Sequence, residues 1–452
     1  MPASAAPPRA DAKARGVWIA LIHRLHFYIG LLVAPFILTA ALSGALYALT
    51  PSLEAWLYAD ALRAPASGAP QPLSAQVEAA RASIDGHPAP AAIRPAPLPG
   101  TTTRVMFAEP KLGGSMHLAV FVDPVSLELR GTLPVYGTSG LLPLRTWIDH
   151  FHRSLHLGEF GRAYSELAAS WLWLLALGGT ALWWLGRGGQ RRGTARHHAT
   201  LGLILLVGLA FFSATGLTWS KWAGERISEL RSALDWGTPS VSTQLDPARI
   251  EPRHDPQAAH HGAMDEPATA AFDPAQADLV LAAARGAGLG APRIELRPSN
   301  DQARAWTVRE IDYQWPTQAD SAAIDPRDGR VVDLLRFADF PLAAKLTRWG
   351  VDAHIGMLFG LPNQLLLAAT ALGLALLIIW GYRLWWRRRP RRLEPLWYAL
   401  ARLPRRAWPA LALATALLGW ALPVLGASLA LLLAIDGLRL ALRRAGPRRQ
   451  IG

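Results

Sequence analysis

Apolar and polar positions fall into long blocks along this chain. Four apolar runs, Val17–Leu49, Ser165–Leu185, His197–Trp219 and the stretch within Gly350–Arg388, reach the ~20 residues that a helix needs to cross a ~30 Å hydrocarbon core. Two shorter apolar segments, Trp408–Leu422 and Gly426–Leu440, meet at Pro423 and predict a hairpin whose first arm is marginal in length. Between the runs the period changes. PLSAQVEAARASI predicts an amphipathic helix, and TTTRVMFAE with MHLAVFVDPVSLELRGTLP predicts three strands turning at Asp123-Pro124. The same sequence of parts recurs later. DPAQADLVLAAARGAG reads as a helix, and RIELRPS, RAWTVREI and SAAIDPRDGRVVDLL read as strands with a turn at Asp325-Pro326, so VDP and IDP mark an internal repeat.

This pattern predicts a cytoplasmic tail at 1–16, a first span at 17–49, an outer α+β domain at 50–145, and an amphipathic segment with the second span at 146–187. A cytoplasmic loop at 188–196 leads to the third span at 197–222, and a linker with a second α+β domain occupies 223–345. The fourth span at 346–387, a loop at 388–406, a hairpin at 407–441 and a tail at 442–452 complete six spans with both termini inside. The fold class is an α-helical polytopic membrane protein, a four-helix core plus a C-terminal hairpin, with two small α+β extracytoplasmic domains.

Charge sets the orientation. The chain of 452 residues is 51% hydrophobic, and its 46 Lys and Arg against 33 acids give a formal charge of +13. The excess clusters beside apolar runs, at Arg187–Arg196, Arg383–Arg392 and Arg439–Arg449, as the positive-inside rule expects of cytoplasmic loops, so nucleic acid is not an expected partner. The first apolar run is too long for a signal peptide and reads as a signal anchor. With no cysteine, thiolate metal sites, iron–sulfur clusters and covalently attached haem are excluded.

The histidines then change the picture. His23 and His26 lie three residues apart on one face of the first span, and His197 and His198 open the third; both pairs fall on the inner side. On the outer side, His150, His152 and His156 precede the second span and His354 opens the fourth. Taken singly, each reads best as an interfacial side chain satisfying backbone groups. As sets split between leaflets and helices they read as ligands, because facing helices that point imidazoles inward can hold a metal or the axial positions of a haem. Gly30, Ser43-Gly44 and Thr215-Gly216 permit close approach of a helix or a flat macrocycle, and equally suit ordinary helix packing. His254, His260 and His261 lack fixed spacing and read as solvated linker, and His87 and His117 receive no role. No P-loop, nucleophile elbow, HExxH or complete dinucleotide fingerprint is present.

LIHRLHFYIGLLVAPFILTAALSGALY, HRSLHLGEFGR leading to ELAASW, HHATLGL with SATGLTWS, and AHIGMLFGLPNQ together resemble the PepSY-associated transmembrane proteins over nearly the whole chain. The two outer modules look like PepSY domains. The resemblance implies a bacterial inner-membrane protein, often iron-regulated, with some members acting as haem-containing ferric-siderophore reductases. By motif position it carries over His23, His152, His198 and His354 as axial ligands of two haem b groups, with His26 and His156 as second candidates and His152 or His156 as the partner of His354. Electrons would enter from a separate, unknown cytoplasmic donor and leave to a ferric siderophore or another periplasmic acceptor. Two other readings stay open: a non-enzymatic envelope protein whose modules bind peptides or regulate a partner, and a non-redox component of siderophore uptake.

Overall fold

The computed structural model describes residues 10–113, 115–137, 139–186, 192–245, 272–388 and 395–445. The N-terminal tail to residue 9, the central part of the 187–196 basic cluster, the linker histidines 254, 260 and 261, Arg389 to Arg392, and the last seven residues lie outside them. In chain order the first half contains α1 (Ala10–Leu32), α2 (Ala34–Leu57), α3 (Ala59–Leu62), α4 (Leu73–Ala82), β1 (Ala92–Arg94), β2 (Thr103–Ala108), β3 (Met116–Val122), β4 (Leu129–Tyr136), α5 (Pro143–Ser154) and α6 (Gly158–Leu185). The second half contains α7 (Thr194–Thr218), α8 (Trp222–Ala233), α9 (Ala275–Gly286), β5 (Ile294–Arg297), β6 (Trp306–Glu310), β7 (Ser321–Ile324), β8 (Val331–Leu335), α10 (Leu342–His354) and α11 (Leu361–Arg387). After it come α12 (Leu396–Ala401), α13 (Trp408–Ala421) and α14 (Pro423–Ala445). The order of parts repeats: spanning helix, helix and four strands, amphipathic helix, spanning helix. The chain divides into two compact units, one within 1–46, 150–229 and 366–452, the other within 47–149 and 230–365.

The first unit holds most of the apolar helical residues. Among the described residues five helices are long and apolar enough to cross a membrane: α2, α6, α7, α11 and α14. Six spans were expected. α13 has 14 residues and, at 1.5 Å per residue, extends only about 21 Å, short of the ~30 Å core. The first expected span, 17–49, is two helices that break at Val33 and run on to Leu57. The cause is Pro35, which has no N–H to offer the Leu31 carbonyl four residues back. The Tyr382 hydroxyl of α11 donates to that carbonyl instead, at 2.8 Å. Pro51, inside α2, likewise abandons the Tyr47 carbonyl, and Thr50 Oγ1 satisfies it at 2.6 Å.

The fourth expected span also divides. His354 does not open the spanning helix; it ends the amphipathic α10, and a turn with Gly356 and Gly360 at positive φ separates it from α11. The other half is built alike. α5 ends at Ser154, and Leu155, His156 and Gly158 adopt positive φ before α6 begins.

In the second unit the two expected α+β domains form one structure. Their strands make a single eight-stranded antiparallel sheet in the order β4-β3-β2-β1-β5-β6-β7-β8. Each half contributes a four-stranded meander, and the halves join where β1 pairs with β5. The sequence reading missed β1, three residues enclosed by proline-rich chain. One apolar core serves both halves, with Val77 and Ala80 of α4 and Val280 and Ala284 of α9 packed with Ile93, Val105, Leu296 and Val308 of the sheet. The VDP and IDP repeat is structural as well. Asp123 N donates to Glu128 O and Asp325 N to Arg330 O, each at 2.9 Å, and β3 and β7 carry a bulge at equivalent places, Phe121/Val122 and Ala323/Ile324.

Candidate functional site

A cavity of about 1020 Å³ lies among α1, α2, α6, α7 and α11 in the first unit, and His23, His26 and His198 line it. The structure thus brings together histidines from the first and third expected spans. They are not equally placed. His23 is exposed and His26 is partly buried against α6. A Cβ on Gly179 would lie 3.2 Å from His26 Cε1, and one on Gly178 would lie 3.7 Å from its Nδ1, so this glycine pair makes room for the ring. Among the described residues, His26 Nδ1 is buried without a hydrogen-bond partner.

His198 faces the cavity from α7. Its Nδ1 donates to the Leu377 carbonyl at 3.1 Å, and a Cβ on Gly381 would stand 3.7 Å from its Cε1. A carbonyl can only accept. The Nδ1 of His198 therefore carries the proton, and the neutral ring has its lone pair on Nε2. His197 is exposed, with its ring 5.9 Å from that of Trp380.

The internal repeat discriminates between His23 and His26. Arg24, His26 and Gly30 on α1 have the same spacing as Arg196, His198 and Gly202 on α7. Gly30 and Gly202 both line the cavity, with nothing within 4 Å of a Cβ built on Gly30. These glycines leave space one helical turn beyond each histidine. Gly178, Gly179 and Gly381 were not singled out in the sequence, because a glycine in an apolar helix gives no sign of which neighbour it accommodates.

His152, at the end of α5, is held against α2 in the same unit. Its Nδ1 is hydrogen-bonded to Ser43 Oγ at 2.9 Å, and that hydroxyl also lies 2.7 Å from the Thr39 carbonyl oxygen. A Cβ on Gly44 would lie 3.1 Å from His152 Cε1, which explains the glycine beside that serine. His156 occupies the positive-φ turn after α5, exposed, with its ring 6.0 Å from that of His150. His354 belongs to the other unit. It is partly buried at the end of α10, where Asn363 Nδ2 donates to the neighbouring Ala353 carbonyl at 2.9 Å. Among the described residues no group of three or more His, Asp or Glu could hold a bare metal ion.

Long apolar helices interrupted by an eight-stranded sheet, in a duplicated order, define a polytopic membrane protein. Its family model is the PepSY-associated TM region, which matches residues 23–388, and the chain belongs to that family. The match takes in all six candidate histidines and leaves α12 to α14 outside. No curated protein matches the chain.

Proposed function

We propose that this chain is a bacterial inner-membrane electron-transfer protein that holds haem b through paired histidines and reduces a ferric siderophore, or a related chelate, on the outer side. The carrying observation is the cavity of about 1020 Å³ with His26 and His198 on different helices at its wall. That volume matches the upper end of the ~300–1,000 Å³ usual for cofactor pockets. The residues present fit the group. The His198 tautomer is fixed, the buried Nδ1 of His26 lacks a partner among the described residues, and glycines clear the space beside both rings. Bound there, haem would supply a one-electron couple whose potential is set by its axial ligands and surroundings.

In this reading His26 and His198 are the inner ligands, and His23 lies at the rim. Arg24, Arg192 and Arg388, which also line the cavity, supply positive charge for anionic substituents of the macrocycle. His152, fixed by Ser43, and His354 are the outer ligands carried by the sequence pattern, with His156 as the alternative to His152. The basic clusters support an orientation with both termini in the cytoplasm and the sheet unit in the periplasm, and in this reading each half of that unit, one helix and four strands, is a PepSY-like domain. Release of iron follows from reduction, because hard-oxygen chelators hold ferrous iron far less tightly than ferric iron.

A reduced-minus-oxidised visible spectrum of the detergent-purified protein tests this directly. The expected result is a b-type signal that falls by about half in His198→Ala and again by about half in His354→Ala, with different components lost. His26→Ala should reproduce the His198→Ala loss, and His23→Ala should leave the spectrum intact. A protein that purifies without haem and takes up none on reconstitution would leave the non-enzymatic PepSY reading in its place.

A further inference from the structure

The sheet has two faces, and the repeat has loaded one of them with arginine. α4 and α9 cover the face bearing Ile93, Val105, Leu296 and Val308. On the opposite face the register aligns four charged residues across four neighbouring strands. Arg104 of β2 is paired with Arg94 of β1, and Glu295 of β5 with Arg309 of β6. The β1–β5 pairing, Ile93 with Leu296, sets Arg94 opposite Glu295 one step along.

Like charges directly opposite on a sheet are destabilising, and Arg104 and Arg94, in the first half of this row, are such a pair. Glu295, buried, neutralises part of it, accepting from Arg94 Nε at 2.7 Å and from Arg297 Nε at 2.6 Å. Burial pushes the Glu295 carboxyl up, but the two guanidiniums outweigh it and hold it ionised, below the usual range. Among the described residues the two ends of the row, Arg104 and Arg309, have no carboxylate in ion-pair contact. Arg104 stacks on Phe121 at 4.9 Å and donates to the Gly140 carbonyl at 2.9 Å. Burial, with Arg94 beside it, lowers the Arg104 guanidinium to about 9. Arg309 is lowered by burial and by Arg297.

A second observation points to the same face. Arg348, on α10 of this unit, lies close enough to Arg309 to act on its charge. Its Nε donates to Asp352 Oδ2 at 2.9 Å and its ring partner is Tyr313, yet its Nη2 is buried with nothing to donate to. His117 of β3, 4% exposed, also has an unpartnered Nδ1. A buried guanidinium N–H without an acceptor is costly, and the group that relieves it best is an oxyanion.

We propose that this face of the sheet, along the row from Arg104 to Arg309, binds a small molecule carrying two or more carboxylate or phosphate groups. Arg104 and Arg309 stand three strand spacings apart, ~14 Å at ~4.8 Å per strand, so one anionic group at each end fits better than a single compact ion. The site requires both repeats, since each supplies half of the row, and it stands apart from the haem reading.

Calorimetric titration of the full-length protein in detergent, at low salt, with citrate in one arm and inorganic pyrophosphate in the other, tests the site and tells the two chemistries apart. The expected result is saturable binding of at least one of them, weakened about tenfold or more in Arg309→Gln and in Arg104→Gln. Arg226→Gln, in an exposed pair with Glu229, should bind as wild type does. Without ligand, Arg309→Gln should melt no lower than wild type, because it removes a crowded positive charge. No saturable binding of either anion, equal weakening in Arg226→Gln, or an unliganded Arg309→Gln that melts well below wild type would each overturn the proposal.

Discussion

Single residues decide where backbone groups find their partners. Asp123 shows this most plainly: its Oδ1 accepts from the N–H groups of Val125 and Ser126, and its Oδ2 from that of Ala66, at 2.9 to 3.2 Å. Burial pushes its carboxyl up, but these three donors prevail and hold it below the ordinary range. A depressed folded value gives stability that is fully present above the unfolded value of about 4 and is lost as pH falls through the lower folded one. Asp123→Asn should therefore lower stability at pH 7 by roughly 1–3 kcal/mol and reduce the loss on acidification below about pH 4. Thermal melts from pH 3 to 7 measure both effects. His117 acts on stability in the same direction as Asp123, but at higher pH. Burial holds its imidazole below its ordinary value, so it disfavours the fold as pH falls through about 6.5, where the unfolded ring takes up a proton first. The sequence identified the VDP turn from Asp and Pro alone, whereas nothing in it indicated that residue 66 would come to the same carboxylate.

Elements meet where prolines and glycines allow. The bend between α1 and α2 leaves the Leu31 carbonyl for Tyr382, and both residues line the cavity. Tyr382→Phe should cost roughly 1–3 kcal/mol by leaving that carbonyl unpaired in an apolar setting, and it should alter the absorbance of any chromophore held by His26 and His198. Chemical denaturation followed with the visible spectrum would separate the two effects. At the start of α6, a Cβ on Gly161 would overlap the Ser154 carbonyl oxygen, a clash no adjustment of a side chain can relieve. Gly161→Ala should therefore displace α5 from α6 and with it His152, read as a lower melting temperature together with a changed spectrum of any chromophore that His152 holds. Each amphipathic helix ends in a left-handed turn before its span, and the string of glycines after His156 and His354 was visible in the sequence. The long apolar runs concealed the break, because hydropathy averages over a kink.

At the scale of the whole molecule the duplication is what matters. The two halves share one sheet and one core, and Asp278 of α9 accepts from the N–H groups of Leu73 and Ser74, at 2.7 and 3.3 Å, so one half caps the first turn of the other half's helix. Asp278→Ala should cost roughly 0.5–2 kcal/mol, and hydrogen exchange should show the loosening in α4 rather than in α9. A fragment holding only the second half, residues 273–335, would expose β5 as a bare edge and should aggregate or remain unfolded. By itself the sequence determined the class of protein, the positions of most spanning helices, the helix of each α+β half with every strand but β1, and the set of histidines available, because these depend on local periodicity and composition. It did not determine that two domains would become one sheet, that His26 would lie partly buried against a glycine pair of α6 while His23 stays exposed, or that four charged residues from different strands would form one row. Those outcomes depend on strand pairing and helix packing between residues far apart in the chain, and only the tertiary structure decides which distant partners meet.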